Sequence, residues 1–405
     1  MTLSTLMFQL HQPPVDPNGP YPLPLTERKV YIELNPSDRL ISTLLISHNH
    51  ELDNSIDNGK ETRNHIRVDI SADLGSIIAL IASTIGSVTG SELSSTCDSL
   101  SQRKNFTSLS NEEKSAWIEA EKCLTTHDAV FGLFDGATTL WDEQQYLHLT
   151  MSNYIHAVGQ FLPWHRYYMT LHEKLLQTYC GYEGGMPYWD EQVDAENITA
   201  SAVWDSTYGI GGDGNSSNQN IVMDGPFANM ELHVGAYAFN KVIPKIATYH
   251  LNRTISATKF RVGSQEYVDE CYALDSYEEA YPCYAKNPHG AGHAGTGGTM
   301  QDPALSPGDP VFFLHHTNLD RLWWEWQSAN LTYRLLDMGG PNVPADSYNA
   351  ANNWDAVGAN FTDYSGDPGN VTTLSHILSL YEMLPNATIA DVMDIGGSTI
   401  CAEYI

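Results

Sequence analysis

The chain has 405 residues, 42% hydrophobic and 17% charged, a composition suited to a folded protein with a substantial core. Its formal net charge of −29 sets Coulomb repulsion against polyanions, which excludes nucleic acid and anionic membrane surfaces as partners and leaves small neutral molecules free to approach. Six cysteines without a CxxC pair exclude a zinc ribbon or thioredoxin-like site and fit up to three disulfides.

Residues 1 to about 95 differ from the rest and are left unassigned. They open with a proline-rich run, Gln12-Pro13-Pro14 through Pro22-Leu23-Pro24, and continue as polar, weakly patterned sequence with no signal peptide at Met1. Leu74–Val88 nevertheless has the length and small-residue ending of a signal-peptide core, and is too short to span a bilayer comfortably. This predicts that the stated start lies upstream of, or is joined onto, a shorter secreted precursor; the plain alternative is one short helix packed on the main domain. N-glycosylation sequons at Asn105, Asn197, Asn215, Asn252, Asn330, Asn360, Asn370 and Asn386 are about twice as frequent as chance gives, and all follow Cys97. With the cysteines they point to an oxidising, extracellular setting.

From residue 96 to 405 the pattern is that of one domain without internal repeats. Ser110-Asn-Glu-Glu113 reads as a capping box opening a helix through Trp117, Ile118 and Ala120. A second helical pattern runs from about Asp142 to His156, and a third from Trp164 to Tyr179, stopping at Cys180-Gly181. The fourth begins at Asp309-Pro310 and ends near Gln327. The expected fold is mainly α, a four-helix bundle core with long loops and few short strands, carrying its site between facing helices.

Sixteen histidines are distributed unevenly. His148, His156 and His165 form one cluster, and His289, His293, His315 and His316 another. Neither holds the carboxylate of a two-His iron site or the HExxH of a zinc protease, so all-imidazole coordination favours copper performing O2 chemistry. His289 and His293 are spaced to share a helix face, although Gly290-Ala291-Gly292 between them is a poor helix former. His148 and His156 would be separated by about 12 Å of rise in one helix. The helix is therefore expected to start after His148, leaving that residue on a loop, with His165 on the next helix after the Phe161-Leu162-Pro163 break. His316 shares a face with Phe312, Asp320 and Trp323, whereas His315 turns away, which makes His316 the better ligand. His127, His172, His233, His250 and His376 read as ordinary core or surface residues.

The stretch His148-x7-His156-Ala-Val-Gly-Gln-Phe-Leu-Pro-Trp-His165-Arg166, with Glu173 and Pro187-Tyr188-Trp189, resembles the first copper motif of tyrosinases and catechol oxidases. Asp309-Pro-Val-Phe-Phe-Leu-His315-His316-Thr-Asn-Leu-Asp320-Arg321-Leu-Trp323, preceded by Pro288-His289-x3-His293, resembles the second. The likeness extends over roughly Cys97 to Ile405 and is nearest to the short secreted fungal members. It implies two copper ions per chain, one on His148, His156 and His165 and one on His289, His293 and His316. It also implies a small phenolic substrate, oxidised with O2 to a quinone.

Asp320, one turn beyond His316, is a candidate acceptor for a ligand N–H, or else a simple partner of Arg321. Phe312, one turn before His316, would keep the pair dry. No cysteine lies between His127 and His165, so the thioether to a ligand histidine found in many relatives is absent. Monophenol-hydroxylating relatives often carry Asn directly after the first histidine of the second copper; here it is Gly290. Glycine provides no hydrogen bond for a phenol-deprotonating water, which favours ortho-diphenols or ortho-aminophenols over monophenols. The same six histidines would also serve a tailoring oxidase of a tyrosine-derived metabolite or peptide, or a haemocyanin-like oxygen carrier.

Overall fold

Two units divide the chain, Met1–Leu93 and Ser94–Ile405. The computed structural model describes residues 97, 99–236, 243–352, 354 and 366–405 of the second unit. In the first it describes only an antiparallel pair of two-residue strands, β1 (Ile32–Glu33) and β2 (His65–Ile66). The signal-like run at 74–88 lies outside the described residues.

The second unit begins and ends on one seam. Strand β3 (Ser101–Arg103) pairs in parallel with the last strand of the chain, Ala402–Tyr404, and the Cys97–Cys401 disulfide closes the same edge. Helix α1 (Asn111–Leu124) starts at the expected capping box: Glu113 N donates to Ser110 Oγ at 3.1 Å, and Ser110 N donates to the Glu113 carboxylate at 2.8 Å. Cys123 near its end is bonded to Cys180, pinning α1 against the third helix.

Helix α2 (Leu140–Ile155) starts earlier than its apolar pattern suggests, because Thr139 and Asp142 form a second capping box. His148 therefore lies in mid-helix and not on a loop. The distance problem along the axis is solved at the other end. The helix stops at Ile155, His156 takes an extended conformation, and Ala157 follows with φ 56°. This reversal folds the His156 ring back towards His148.

Helix α3 (Phe161–Cys180) absorbs Phe161-Leu162-Pro163 into its first turn, where proline's missing N–H has no helical acceptor to lose. It ends at Gly181 in the left-handed region, φ 65°, as the sequence predicts. Strands β4 (Glu231–Ala236) and β5 (Pro244–His250) form an antiparallel hairpin with an irregularity between Leu232 and Val234. Helices α4 (Gln265–Tyr272) and α5 (Tyr277–Lys286) are joined by Cys271–Cys283. All six cysteines are thus consumed in three disulfides.

Helix α6 (Pro288–Thr296) follows at once with proline at its start, and α7 (Val311–Ser328) completes the core. Asp309 Oδ1 accepts Val311 N at 3.1 Å, so the aspartate caps as expected; its carboxylate also accepts Arg253 Nε and Nη2, each at 2.8 Å. The site-bearing helices are α2, α3, α6 and α7. The glycine-rich α6, not α1, fills the fourth place.

One buried ionic cluster locks these parts together. Asp320 on α7 accepts Arg166 Nε of α3 at 2.5 Å, Arg103 Nη1 of β3 at 3.0 Å, and the Tyr404 hydroxyl of the last strand at 2.6 Å. Arg166 further donates to the carbonyls of Val392 and Met393 and to Gln327 Oε1, and lies over the Trp323 ring at 3.8 Å. Removing the shared carboxylate leaves two buried guanidiniums short of their counter-charge. Asp320→Ala should lower stability by about 3–5 kcal/mol in denaturant unfolding. Glu325→Ala, which removes only the exposed partner of Arg321, should cost less than about 1 kcal/mol. Equal small losses in the two variants would show that the cluster does not carry the fold.

Candidate metal centre

The structure gathers the histidines into two groups. His148, His156 and His165 form one and His289, His293, His315 and His316 the other, each with potential donor atoms within 4.8 Å of one another. The groups meet where His165 and His316 stack at 4.5 Å between ring centroids.

Five imidazoles are tethered in the same way. Nδ1 of His148 points to Ala304 O at 3.2 Å, His156 to Ser152 O at 2.8 Å, and His165 to Phe161 O at 2.7 Å. In the second group, His289 Nδ1 points to Ala285 O at 3.0 Å and His293 Nδ1 to Met300 O at 2.7 Å. A carbonyl only accepts, so each Nδ1 carries the proton and each Nε2 keeps its lone pair. Ser152 and Ala285 lie in the last turns of α2 and α5, where helix carbonyls have no intrahelical donor. The helix ends thereby supply the acceptors that orient the rings.

The Nε2 atoms of His148, His165 and His289 are buried with no hydrogen-bond partner, and neither nitrogen of His316 has one. A set of inward lone pairs without donors is what a cation accepting imidazole nitrogen would satisfy. Burial, followed by the neighbouring imidazoles, pushes the pKa values of His148, His165, His289 and His316 well below the ordinary histidine range, and burial takes His156 down to about 4. The rings are neutral, the form that binds metal.

Phe312 is fully buried among them, 4.1 Å from His316, 5.2 Å from His148 and 6.1 Å from His293 between ring centroids. It occupies the apolar position that the sequence assigns to it. Asp320 does not accept a ligand N–H: its carboxylate is taken by Arg103, Arg166 and Tyr404. Nor does it pair with Arg321, which binds Glu325 and Asn318 instead. Gly290 has room for a side chain, since a Cβ built there would meet only Ala285 O, at an ordinary contact distance of 3.8 Å.

Comparison with known proteins agrees with this arrangement. The common central domain of tyrosinase matches residues 138–329, which include both histidine groups. The tyrosinase-like protein orsC of Emericella nidulans is 30% identical over 290 residues, covering 60% of this chain and 79% of that protein. The chain belongs to the tyrosinase family.

The tyrosinase-like protein phomQ1 of Diaporthe leptostromiformis is 28% identical over 324 residues, covering 76% of this chain and 78% of the relative. Among solved structures, a mutant polyphenol oxidase from Thermothelomyces thermophila superposes with a TM-score of 0.61 at 25% identity, covering 76% of this chain and 89% of that one. Tyrosinase-family proteins bind a dicopper centre, and the two histidine groups of this member fit one.

Sequence reasoning missed three neighbours of the centre. Glu191, two residues beyond the Pro187-Tyr188-Trp189 motif, shares a hydrogen bond with His315 Nδ1 at 2.6 Å. Phe161 packs edge-on against His289 at 4.7 Å, and Trp354 lies 5.9 Å from His156. Glu191 carried a signal, an acid beside a motif; Phe161 and Trp354 look like any core aromatic.

The buried imidazoles also set a pH dependence. An unfolded histidine takes up its proton near pH 6.5, while folded His156 does so only near 4. Between these values the unfolded chain binds more protons, so stability is full above about 6.5 and falls on acidification towards about 4. Thermal melting of metal-free protein should show this fall, with a shallower slope in His156→Gln. Identical slopes in both proteins would contradict the burial argument.

Proposed function

We propose that this tyrosinase-family oxidase is secreted, holds one copper on His148, His156 and His165 and a second on His289, His293 and His316, and oxidises ortho-diphenols or ortho-aminophenols with O2. The observation that carries the reading is the meeting of two neutral, buried histidine groups at the His165–His316 stack, with inward lone pairs and no carboxylate among the donors. A copper pair held there would let O2 take four electrons and four protons to become two waters, all of them drawn in net from two diphenols, each of which loses two electrons and two protons.

The chain's own residues set the conditions for that chemistry. The carbonyl tethers fix five of the six imidazoles in one tautomer and one orientation, while His316 is held by packing against His165 and Phe312. Phe312 and Phe161 fill the space around the rings and exclude water. Gly290 leaves the entrance beside His289 without a side-chain amide. A monophenol, with a pKa of about 10, therefore finds no assisting group there, whereas a chelating diphenol depends on one less.

Secretion draws support from the three disulfides and from the exposed sequon residues Asn197, Asn215, Asn330, Asn370 and Asn386. Among the described residues no helix is long and apolar enough to cross a membrane.

Elemental analysis of copper-reconstituted protein should find two coppers per chain, with oxygen uptake on catechol. His156→Ala and His316→Ala should each lose one copper and abolish uptake; a single zinc and no copper would refute the reading. Gly290→Asn should fold normally, because the position is open, and should raise the ratio of tyramine to dopamine turnover. An unchanged ratio, with copper content intact, would place control of monophenol access elsewhere.

A further inference from the structure

Asn330-Leu331-Thr332 is a sequon on the single helical turn, Leu331–Arg334, that follows α7. Asn330 and Thr332 are both exposed, and the Asn330 side chain does not cap the turn that it opens. Asn105, in another sequon, shows the alternative. Its Oδ1 accepts Thr107 N at 2.9 Å and its Nδ2 donates to Asp190 at 3.3 Å, so that amide is committed to the fold. The Asn330 amide has no such commitment.

Beside that amide stand apolar side chains that the fold holds in water. Tyr333 is 56% exposed and Leu336 70%. Tyr333 N donates to Asn330 O at 3.1 Å and Leu336 N to Tyr333 O at 2.9 Å, so Asn330, Tyr333 and Leu336 follow one another in three-residue steps along one ridge. The segment is anchored. Arg334 donates to Trp326 O at 2.7 Å and Leu274 O at 3.3 Å and lies over the Trp326 ring at 4.1 Å, and Asp337 accepts Tyr277 N at 2.8 Å. Tyr333 and Leu336 cannot turn inward without breaking these contacts. The first sugar of a glycan has an apolar C–H face as well as hydroxyls, so it can lie on a tyrosine ring and keep its polar edge in water. A second copy of the chain is the other candidate cover, but at a net charge of −29 two copies repel each other.

We propose that Asn330 carries an N-linked glycan whose first sugars cover Tyr333 and Leu336. The proposal rests on the secretion reading above and goes beyond it, assigning one modified residue and the surface that its sugars protect. The donor is an oligosaccharide on a lipid diphosphate. The bond that forms joins Asn330 Nδ2 to the anomeric carbon of the first sugar; the bond from that carbon to the diphosphate breaks, and the amide proton leaves with the diphosphate.

The test expresses the full chain in a yeast host that glycosylates secreted proteins. Glycopeptide mass spectrometry should find Asn330 occupied. Thr332→Ala, which removes the sequon without touching Asn330, should lose that glycan, while Thr332→Ser should keep it. Hydroxyl-radical labelling of Tyr333 and Leu336 should rise severalfold in Thr332→Ala and stay at the wild-type level in Thr332→Ser. Tyr208, 37% exposed and on another segment, should label equally in all three. An unmodified Asn330 beside other, occupied sequons would overturn the proposal. So would unchanged labelling in Thr332→Ala; if that variant also runs as a dimer, the ridge belongs to a second copy. A chain retained in the cell with no sequon occupied would instead overturn the secretion reading, and the proposal with it.

Discussion

Neutral imidazole in a dry interior is the constraint on which the rest of the structure depends. A histidine left free in water would titrate near neutrality, and a protonated ring cannot bind metal. Burial removes that choice, but it also strands polar nitrogens. The chain resolves half of the problem with carbonyl oxygens for five Nδ1 atoms and leaves the other half, the Nε2 lone pairs, pointing inward. Two of those carbonyls come from helix ends where they would otherwise need water. The need to stop α2 and α5 at these places and the need to orient His156 and His289 are therefore one requirement.

Distance between the two histidine groups is set by charge and not by the groups themselves. Arg166 follows His165 directly, and Asp320 lies one turn beyond His316. Their contact at 2.5 Å ties the neighbour of one ring to the neighbour of the other, and the two rings come to rest stacked at 4.5 Å. Arg103 and Tyr404 bring both ends of the unit to the same carboxylate. An apolar substitute could fill the volume, but it could not hold two helices, an initial strand and a terminal strand to one point. Specificity of placement is what the buried charges contribute.

Much of this was legible in the residues because the relevant signals are local. The Ser110 capping box, the Gly181 stop, the Asp309 cap and the histidine spacings all act within a few positions and appear where the sequence puts them. What escaped was decided elsewhere in space. Rise along a helix correctly forbids His148 and His156 from meeting on one axis, yet the chain meets them by leaving the helix at Ile155. Asp320 lies at the right position for a ligand's acceptor, but two arginines distant in sequence claim it first. Helix α6 showed only as the His289–His293 spacing, and its poor propensity is offset by packing, with Gly295 against Phe260 and Gly292 against His315 and Glu191.

That weak helix separates two demands within one turn. Gly290 and Gly292 are identical residues two positions apart, turned about 200° from each other around the axis. One has room for a Cβ and the other faces the His315–Glu191 pair. At 292 the missing side chain is a packing requirement: any Cβ would displace a carboxylate and a ring and spread the second histidine group. At 290 a Cβ would meet nothing nearer than Ala285 O at 3.8 Å, so packing does not require glycine there. A helix held by its neighbours, rather than by its own propensity, can carry a glycine that packing requires beside one that it does not. The poor helix-forming sequence between His289 and His293 is thus tolerated because neighbours hold the segment, and at Gly292 it is what lets them approach.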